Sequence, residues 1–586
     1  MKVLPDNSTA WLKKGNSLLT LSRLKEALQS FNRATTLSPG DPHGWLWKGT
    51  ALQIQGNNTD ALSSYDKALA INPAQTDVWV RKAIISGTLG RFEESLDCLD
   101  KALSINPNHP IAFLYKGIGY LNLDNLKDAV ESFGKAVSIK PDLSEAWCYL
   151  GNVYTKTFQF AEALDAINTA LSVNPGYVEA LVQKGIILKK LHKYDDAMDV
   201  LESAKKAIPD NAIIHDELGL VFALQGKHQS AIDSFTKAIK LDPQNIEAYF
   251  NLVTQVKDSD ASNYIPKLEL LLNDDSLLPA NESRIHFSLG HAYHNLPDFD
   301  RSFAHFEKAN EIRSAEIPYD GTIFRDKVPR LITKFNSEIL NRCTHTGHNK
   351  EPSIFIIGLP RSGKTILEDI LGQHSEIIAT GESGIFNVAL RDIFSQEIDL
   401  TDLEVFSTID CTLFKEVGEA YSKRNRALFG EKRILSTNPG VVELLIGIIH
   451  LCLPNAKFIH SVRNIEDNCF EIYRKYFQGK QQNYSYKFSD ILEKYDLHHK
   501  LLAHWKTLFP DMFYTVDFEM LVHNPKSEVT KVLENCGLTY ESSCEAYIAD
   551  ALANNRFPTP ENAIDTWMQY VNYLKPFFTT PPDNLL

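Results

Sequence analysis

The feature that most constrains this chain is a sequence repeat with a period of 34 residues. Prolines recur at that interval, at Pro39, Pro73, Pro107, Pro141, Pro175, Pro209 and Pro243. A small residue recurs in phase with them, at Gly15, Gly49, Ala83, Gly117, Gly151, Gly185 and Gly219. A second small residue follows at Ala27, Ala61, Ser95, Ala129, Ala163, Ala197 and Ala231. Four positions after it comes a large apolar residue, at Phe31, Tyr65, Leu99, Phe133, Ile167, Leu201 and Phe235. A period in this range predicts a solenoid of stacked helical units.

Each repeat is predicted to be a pair of antiparallel helices. Small residues let the two backbones approach closely where they cross, and the apolar residues fill the seam to the next repeat. Proline ends one helix and starts the next. This is the pattern of tetratricopeptide (TPR) repeats. The phase is lost around Asn251 to Pro279 and returns with Gly290 and Phe306, so we predict an array over residues 8–312 that is degenerate around 251–279.

The array is expected to form a right-handed superhelix whose concave groove binds an extended peptide or a partner helix. Under this interpretation, the partner of the repeats is a protein or peptide. The alternative is that the array only spaces or dimerises the protein.

Composition and charge exclude some classes of function. The 586 residues carry a net charge of −14, which argues against a general binder of nucleic acid or anionic membrane, because such binders need a cationic face. None of the eight cysteines forms a C-x-x-C pair, so we expect neither zinc nor a disulfide framework but reduced thiols. The N-terminus lacks the apolar core of a signal peptide, and the longest apolar run, Val441 to Pro454, is too short for a membrane span and is predicted to be a buried helix. We therefore predict a cytoplasmic protein.

The chain is too long for a single hydrophobic core, so a second domain is expected. Prolines, a glycine and the polar run CTHTGHNKE mark a junction after the repeats. We predict a helical linker over residues 313–350, with a helix from Phe324 to Leu340, and a second domain over residues 351–586.

The second domain begins with the sequence PSIFIIGLPRSGKTILEDILGQ. Its apolar run SIFII is typical of a buried parallel strand, and ILEDILGQ has helical spacing. The loop between them fits the pattern G-x-x-x-x-G-K-[ST]. Glycines let backbone N–H groups converge on phosphate oxygens, and the helix N-terminus adds the positive end of its dipole. A phosphate-bearing ligand is therefore predicted to contact Gly358, Arg361, Ser362, Gly363, Lys364 and Thr365.

The stretch GLPRSGKTILEDILGQHSEIIATGES resembles the sulfotransferase domains fused to TPR arrays in bacteria and archaea. More distantly, it resembles the tyrosylprotein sulfotransferases. The loop, His-Pro-like turn and Gly-Glu pair of that family correspond to Arg361-Ser362-Gly363, His374-Ser375 and Gly381-Glu382. The later stretch LPNAKFIHSVRNIEDNCFEIYRKYF resembles the family's strand that binds a 3′-phosphate through an arginine, here Arg463. The resemblance covers essentially the whole chain.

This resemblance implies a sulfotransferase with 3′-phosphoadenosine-5′-phosphosulfate (PAPS) as donor and no metal. A sulfuryl group would pass in line to a hydroxyl, such as that of protein tyrosine. Loop amides, Arg361 and Lys364 would hold the phosphosulfate and stabilise charge on the leaving oxygen. Glu382 corresponds to the family's proposed general base. Arg463 would hold the 3′-phosphate.

Several positions depart from the family's pattern. The family usually has Thr at position 364, where this chain has Lys, and a Lys where this chain has Thr437. The serine that joins the arginine on the 3′-phosphate aligns with Glu471, whose carboxylate repels phosphate unless it pairs with a cation. The family's closing segment is shortened here to NNRFPTPENA, in which Arg556 is a candidate replacement for a missing arginine. We therefore expect weakened donor binding or lost activity.

Two alternatives remain open at this point. The chain could be a catalytically degenerate TPR binding protein. It could also be an ATP- or GTP-dependent phosphotransferase, because the loop is complete and the strand Met512 to Asp517 resembles one that holds magnesium. The predicted fold is in either case a helical TPR solenoid followed by an α/β P-loop domain, a parallel sheet flanked by helices with strands at 353–358, 456–462 and 512–517.

Overall fold

The structure is a computed structural model of the 586-residue chain. It describes residues 6–256, 258–274, 276–335, 340, 342–343, 347–348, 353–394, 410–437, 442–477, 479–554 and 556–579. Its contacts group the chain into two compact units. The first comprises residues 1–157 and 162–183, and the second comprises residues 158–161 and 184–586. The second unit therefore contains the last repeats as well as the C-terminal domain. The division of the chain into array, linker and domain near residues 312 and 350 stays a prediction.

Consecutive helices of similar length form the repeats, as the sequence period predicts. The helices of the first repeats are α1 (Ser8–Thr20), α2 (Leu24–Leu37), α3 (Pro42–Ile54), α4 (Asn58–Ile71), α5 (Thr76–Thr88), α6 (Phe92–Ile105), α7 (Pro110–Asn122), α8 (Leu126–Ile139), α9 (Ser144–Lys156) and α10 (Phe160–Val173). They continue with α11 (Val178–Lys190), α12 (Tyr194–Ala207), α13 (Ala212–Leu224) and α14 (His228–Leu241). The predicted helical solenoid is confirmed.

Within a repeat, a glycine on the first helix lies against a large apolar side chain on the second. A Cβ atom added at Gly117 would lie 2.6 Å from the ring of Phe133, so no larger residue fits there without movement. The same contact recurs at Gly15–Phe31, Gly49–Tyr65, Gly151–Ile167, Gly185–Leu201, Gly219–Phe235 and Gly290–Phe306. The large side chain thus fills the space inside its own repeat as well as the seam to the next, where Phe31 shares a core with Ala51.

The interval that loses the sequence phase contains a shortened repeat. After α15 (Ile246–Gln255) come a 3-10 helix (Asp258–Asn263) and the short α16 (Ile265–Leu271). The regular pattern resumes with α17 (Pro279–Asn295) and α18 (Phe299–Glu316). Helices α15 and α16 pack on α17 around one apolar core, so this interval still stacks as a repeat.

The junction contains α19 (Thr322–Lys334), which ends earlier than the predicted helix from Phe324 to Leu340. Residues 336–339 lie outside the described residues. A disulfide joins Cys343 to Cys411, whose Cα atoms are 5.3 Å apart. The expectation of reduced thiols is wrong at this pair, because residues separated by 68 positions give no spacing signal that reveals a pairing.

The described residues of the C-terminal domain form a sheet of five parallel strands, β1 (Ile354–Ile357), β2 (Ile377–Ala379), β3 (Arg433–Ser436), β4 (Lys457–Val462) and β5 (Phe513–Asp517). The strand order is β2-β3-β1-β4-β5. In the register, Phe355 pairs with Phe458 and Phe458 pairs with Phe513. The predicted parallel sheet and its three predicted strands are confirmed, whereas β2 and β3 were not predicted.

Helices surround this sheet. They are α20 (Lys364–Leu371), α21 (Ile385–Phe394), α22 (Thr412–Phe429), α23 (Val442–Cys452), α24 (Ile465–Tyr473), α25 (Phe488–Leu508), α26 (Phe518–His523), α27 (Pro525–Asn535), α28 (Ser542–Ala553), α29 (Pro560–Ala563) and α30 (Val571–Thr579). Short 3-10 helices lie at Lys480–Tyr486, Pro510–Met512 and Thr566–Tyr570.

Both faces of the sheet are covered, which explains the continuous apolar run in β1. Phe355 and Ile357 belong to a core that includes Trp505 of α25. Ile354 and Ile356 belong to a second core on the opposite face, with Leu367 of α20. All four residues of β1 are buried, as expected for a central strand of a parallel sheet.

The longest apolar run of the chain forms α23, and its described side chains from Glu443 on are almost all buried, as predicted. Among the described residues, none of the helices is both long enough and apolar enough to cross a membrane.

Candidate functional site

The loop between β1 and α20 requires glycine at two positions. Gly358 has a φ of +143° and Gly363 a φ of +94°, in a region that other residues rarely adopt. A side chain at Gly358 would collide with the carbonyl oxygen of Ser461, and one at Gly363 would collide with the ring of Phe518. Arg361 adopts a φ of +66° although it is not a glycine. The loop is therefore held in a strained conformation by the elements around it.

This conformation suits the binding of an anion. The loop leads directly into the N-terminus of α20, where unpaired backbone N–H groups and the helix dipole favour negative charge. The Ser362 side chain is 2% exposed, and its Oγ atom has no hydrogen-bond partner among the described residues. A buried hydroxyl without a partner costs free energy unless a ligand supplies one.

A cavity of about 930 Å³ lies over this loop. Such a volume is within the range of small-molecule sites. Seven of the predicted site residues line it, namely Gly358, Arg361, Gly363, Lys364, Thr365, Glu382 and Arg463. Ser362 is buried behind the lining. The structure thus brings the loop and Arg463 to one cavity, at the carboxyl ends of β1 and β4, which are neighbours in the sheet.

Arg463 follows directly after β4 and is held by backbone oxygens. Its Nη1 donates to the carbonyl of Arg361 at 3.2 Å, and its Nη2 donates to that of Ala563 at 2.7 Å. The guanidinium also lies 4.6 Å from the centre of the Phe518 ring. Burial lowers the pKa of Arg463. Its Nε atom is buried and has no hydrogen-bond partner in the part of the chain that the structure describes.

Glu471, which stands where the family has serine, is buried between arginines. Its Oε2 lies 3.0 Å from Nη2 of Arg361, and its Oε1 lies 2.5 Å from Nη2 of Arg474. Burial alone would raise the pKa of Glu471, but the positive charges of Arg474, Arg361 and Arg463 outweigh it and hold the pKa well below its ordinary value. Glu471 is therefore a fixed negative charge that already compensates part of the arginine charge in the cavity.

Lys364 lines the cavity, and its Nζ donates to the carbonyl of Gly358 at 2.9 Å. Burial lowers the pKa of Lys364, and the carboxylates of Glu382 and Glu443 counteract that effect. Glu382 is exposed to solvent at the cavity. It is thus placed to contact a molecule that enters, and its charge is felt by Lys364.

Thr437, where the family has lysine, supports the Gly381–Glu382 turn instead of presenting a charge. Its hydroxyl donates to the carboxylate of Glu368, which is 2% exposed. The same carboxylate accepts a hydrogen bond from the backbone N–H of Gly381 at 2.7 Å. Burial raises the pKa of Glu368 to about 7, and the nearby charges of Asp369 and Glu382 add to that effect. The turn that presents Glu382 therefore rests on a buried carboxyl group.

The sequence did not single out a second ion pair in the cavity wall. Nζ of Lys494 lies 2.9 Å from Oε1 of Glu443, and Nδ1 of His498 lies 3.6 Å from the same oxygen. Burial raises the pKa of Glu443, but Lys494 and His498 outweigh it and lower the pKa far below its ordinary value. A carboxylate inside the otherwise apolar run VVELLIGIIH was a visible signal for Glu443, whereas nothing in the sequence marks Lys494 as buried.

The two remaining sequence candidates do not line the cavity. Arg556 forms an ion pair with Asp550 and lies 5.3 Å from the centre of the Tyr547 ring. The neighbouring residues Pro558 and Asn562 line the cavity in its place. Asp517, the proposed magnesium ligand, accepts a hydrogen bond from the backbone N–H of Met520 at 2.9 Å and so caps α26. Among the described residues, no group of three His, Cys, Asp or Glu side chains is arranged to hold a metal ion.

Sequence comparison finds known families in both parts of the chain. Residues 352–542 match the model described as the sulfotransferase family. Models of the tetratricopeptide repeat match residues 2–42, 12–76, 76–109, 119–143, 144–177, 219–252 and 283–316.

One curated relative is an uncharacterized protein of Aquifex aeolicus. It is 29% identical over 345 residues, which is 56% of this chain and 45% of the relative. The chain thus spans less than half of that relative's length.

Solved structures of repeat proteins are also similar. PilF of Pseudomonas aeruginosa matches with a TM-score of 0.33 and 17% identity, over 35% of this chain and 94% of its own. A tetratricopeptide repeat protein of Parabacteroides merdae matches with a TM-score of 0.37 and 20% identity, over 42% of this chain and 98% of its own.

Proposed function

Because the chain joins TPR repeats to a domain of the sulfotransferase family, we propose that it transfers a sulfuryl group from PAPS to a hydroxyl acceptor. The observation that carries this proposal is the single cavity that the phosphate loop and Arg463 share. A donor with an anionic group at each end needs several cations, and Arg361, Lys364 and Arg463 all line this cavity. The glycine conformations of the loop support the same assignment.

In this proposal the loop holds the phosphosulfate. Backbone N–H groups between Gly358 and Thr365, other than at Pro360, contact its oxygens together with the Thr365 hydroxyl and the Arg361 and Lys364 cations. The acceptor oxygen forms a bond to sulfur as the bond from sulfur to the bridging oxygen breaks. The electron pair of that bond stays on the bridging oxygen, and the nucleotide leaves as 3′,5′-ADP. Lys364 stabilises the charge that develops on this oxygen.

Glu382 is the proposed general base. The acceptor hydroxyl must lose its proton as it attacks sulfur, and an exposed carboxylate at the cavity can accept it. The Glu368–Gly381 hydrogen bond fixes the backbone that presents Glu382.

The departures from the family's pattern modify the donor site without removing it. Glu471 is turned toward Arg361 and Arg474, so its charge is paired and does not face an incoming phosphate alone. It also reduces the positive charge that the arginines offer, which supports the expectation of weaker donor binding. With Thr437 engaged by Glu368, Lys364 is the cation next to the leaving oxygen.

The repeats are proposed to bind a protein or peptide, either the acceptor itself or a partner, because TPR arrays act in that way. Tethering an acceptor near the cavity would raise its effective concentration. A cytoplasmic location, with no nucleic-acid partner, also remains part of the proposal.

The test is transfer of labelled sulfate from PAPS by the full-length protein to tyrosine peptides and to fractions of cell extract. We expect labelling that falls about 100-fold or more in Glu382→Gln and Lys364→Met. Glu416→Gln and Lys415→Met, which change exposed residues of α22, serve as matched controls and should label normally. Equal labelling by all five proteins would contradict the assigned roles.

A catalytically degenerate binding protein is the second candidate, and the observation that favours it is the charge compensation by Glu471. It predicts binding of 3′,5′-ADP, or of a protein partner, without transfer to any fraction. Transfer above the level of the Glu382→Gln variant excludes it.

A further inference from the structure

The last repeat shares a hydrophobic core with the phosphate-loop domain. Phe287 of α17 and Phe306 of α18 belong to one buried cluster with Leu359 of the loop. Phe470 of α24 and Tyr570 belong to the same cluster, and their ring centres are 4.5 Å apart. The loop backbone is therefore packed, through apolar side chains, on a repeat that lies outside the residues matched by the sulfotransferase model.

A chain of hydrogen bonds runs through this core, and its direction follows from counting protons. The hydroxyl of Ser302 donates to the carbonyl of Gly290 at 2.8 Å, so its one proton is used. Ser302 must then accept from the hydroxyl of Tyr570, which lies 2.8 Å away. Tyr570 in turn must accept from Nδ1 of His294, also at 2.8 Å. Nδ1 of His294 therefore carries a proton.

The second nitrogen of His294 continues the chain to the cavity. Nε2 of His294 lies 3.3 Å from Nη1 of Arg474, which has only donors to offer. Nε2 must therefore accept, and His294 must be neutral. Burial lowers the pKa of His294 to about 4, and the neighbouring charge of Arg474 lowers it further against the opposing effect of Glu471. Burial also raises the pKa of Tyr570 to about 12, so its hydroxyl keeps its proton.

Arg474 connects His294 to the phosphate loop through the carboxylate of Glu471. It pairs with Oε1 of Glu471 while Oε2 of the same carboxylate pairs with Arg361. Arg361 is 46% exposed on its side chain, and Glu471 is the partner that fixes its guanidinium. The last repeat also contacts the end of α24, which carries Glu471 and is directly followed by Arg474, because Asn310 of α18 donates to the carbonyl of Tyr473 at 2.9 Å.

We propose that His294 is a positioning residue for Arg361, so that the last TPR repeat completes the anion site of the C-terminal domain. His294 fixes Arg474, Arg474 fixes the Glu471 carboxylate, and the carboxylate fixes the Arg361 guanidinium where a ligand oxygen meets it. The binding measurement uses 3′,5′-ADP as the probe, so this part of the inference rests on the proposed function.

The experiment compares four variants of the full-length protein. His294→Leu removes both hydrogen bonds of the imidazole. His294→Gln keeps one donor and one acceptor and should replace the neutral imidazole. His305→Leu removes an imidazole of α18 that contacts Tyr293 and His286 rather than Arg474. Tyr570→Phe removes only the hydroxyl in the middle of the chain and serves if His294→Leu does not fold.

We expect His294→Leu to weaken 3′,5′-ADP binding about tenfold, as losing a hydrogen bond to a charged group does. His294→Gln and His305→Leu should bind within about twofold of the wild type, and Tyr570→Phe should fall between. A purely structural role would instead lower the melting temperature in His294→Leu and His305→Leu alike and leave binding unchanged in both. Equal affinities for His294→Leu and His305→Leu would overturn the proposal.

A second measurement separates this inference from the proposed function. Hydrogen–deuterium exchange of the amides at 358–366 needs no ligand. We expect faster exchange in His294→Leu, and wild-type exchange in His294→Gln and His305→Leu. If no protein binds 3′,5′-ADP but this exchange pattern holds, the proposed donor is wrong and the positioning role stands. Unchanged exchange in His294→Leu would contradict the positioning role whatever the ligand.

Discussion

The repeats and the cavity-bearing domain are held together by different kinds of contact. In the repeats, the same contact between a glycine and a large apolar side chain recurs inside successive helix pairs, as between Gly117 and Phe133. Around the cavity, buried charges from distant parts of the chain meet, as Arg361 and Glu471 do across 110 residues. Contacts of the first kind are local and interchangeable, so one repeat can weaken without the others. Contacts of the second kind are individual, so each partner depends on the others being present.

The largest loss of stability is expected for a substitution that removes a packing contact inside a repeat. Phe133 is fully buried, and Phe133→Ala leaves a cavity over Gly117, so we expect a loss of about 3–5 kcal/mol of unfolding free energy. Because solenoids are stabilised by neighbouring repeats, hydrogen exchange should show the loss in α7, α8 and the adjoining helices. Ile139→Ala, at a residue that is 36% exposed, should cost about 0.5 kcal/mol or less. A uniform loss of protection from hydrogen exchange along the whole chain would contradict the claim that the contacts in the repeats are local.

The second test removes one partner of a buried pair in the domain. Lys494→Met leaves the Glu443 carboxylate without its closest cation, and we expect a loss of about 3 kcal/mol in urea denaturation. This loss of unfolding free energy is at the lower end of the range for broken buried ion pairs, because His498 remains 3.6 Å from the carboxylate. The double variant Glu443→Gln, Lys494→Met should recover most of it, since the buried charge is gone. Losses that simply add in the double variant would show that the two charges do not depend on each other.

The third test uses pH. The buried Glu368 carboxyl has its pKa raised from 4.5 to about 7, so the folded protein keeps a proton that the unfolded chain releases. Ionisation of Glu368 therefore lowers the unfolding free energy progressively as the pH rises from 4.5 to about 7, and the whole loss is present above that range. Glu368→Gln mimics the protonated group, so it should stabilise the protein by about 1–3 kcal/mol at pH 8 and hardly at all near pH 4.

The control for this pH test is Glu376→Gln, at an exposed residue directly before β2. It should leave the pH dependence of unfolding unchanged. If Glu368→Gln and Glu376→Gln have the same effect at both pH values, Glu368 is not the group that titrates.

The difference between the two regions also explains what the sequence could predict. The repeats were predicted closely because each packing contact, such as Gly15 with Phe31, lies within one period and recurs in phase. Strand β1 was predicted from its continuous apolar run, and β4 and β5 were predicted where the sequence resembles strands of the family. The short strands β2 and β3 were missed, since three or four residues such as IIA and RILS carry no period of their own.

The cavity was predicted in outline only. Gly358 to Thr365 carries a recognisable pattern, and Arg463 follows a strand that resembles one in the family, so both were found, while their roles remain predictions. The pairing of Glu471 with two arginines, the burial of Lys494 and the chain from His294 could not be predicted. They depend on which charged side chains the fold brings together, and the sequence of a polar helix looks the same whether its charges face solvent or a neighbour.

The central claim is that the loop and Arg463 bind the two ends of one nucleotide. Calorimetric titration of the full-length protein with 3′,5′-ADP, without metal, tests it most directly. We predict measurable binding to the wild type that weakens about tenfold or more in Arg463→Gln, and wild-type binding in Arg556→Gln, since Arg556 does not line the cavity. Absence of binding, binding that Arg463→Gln leaves unchanged, or tighter binding of ATP with Mg²⁺ would contradict the account.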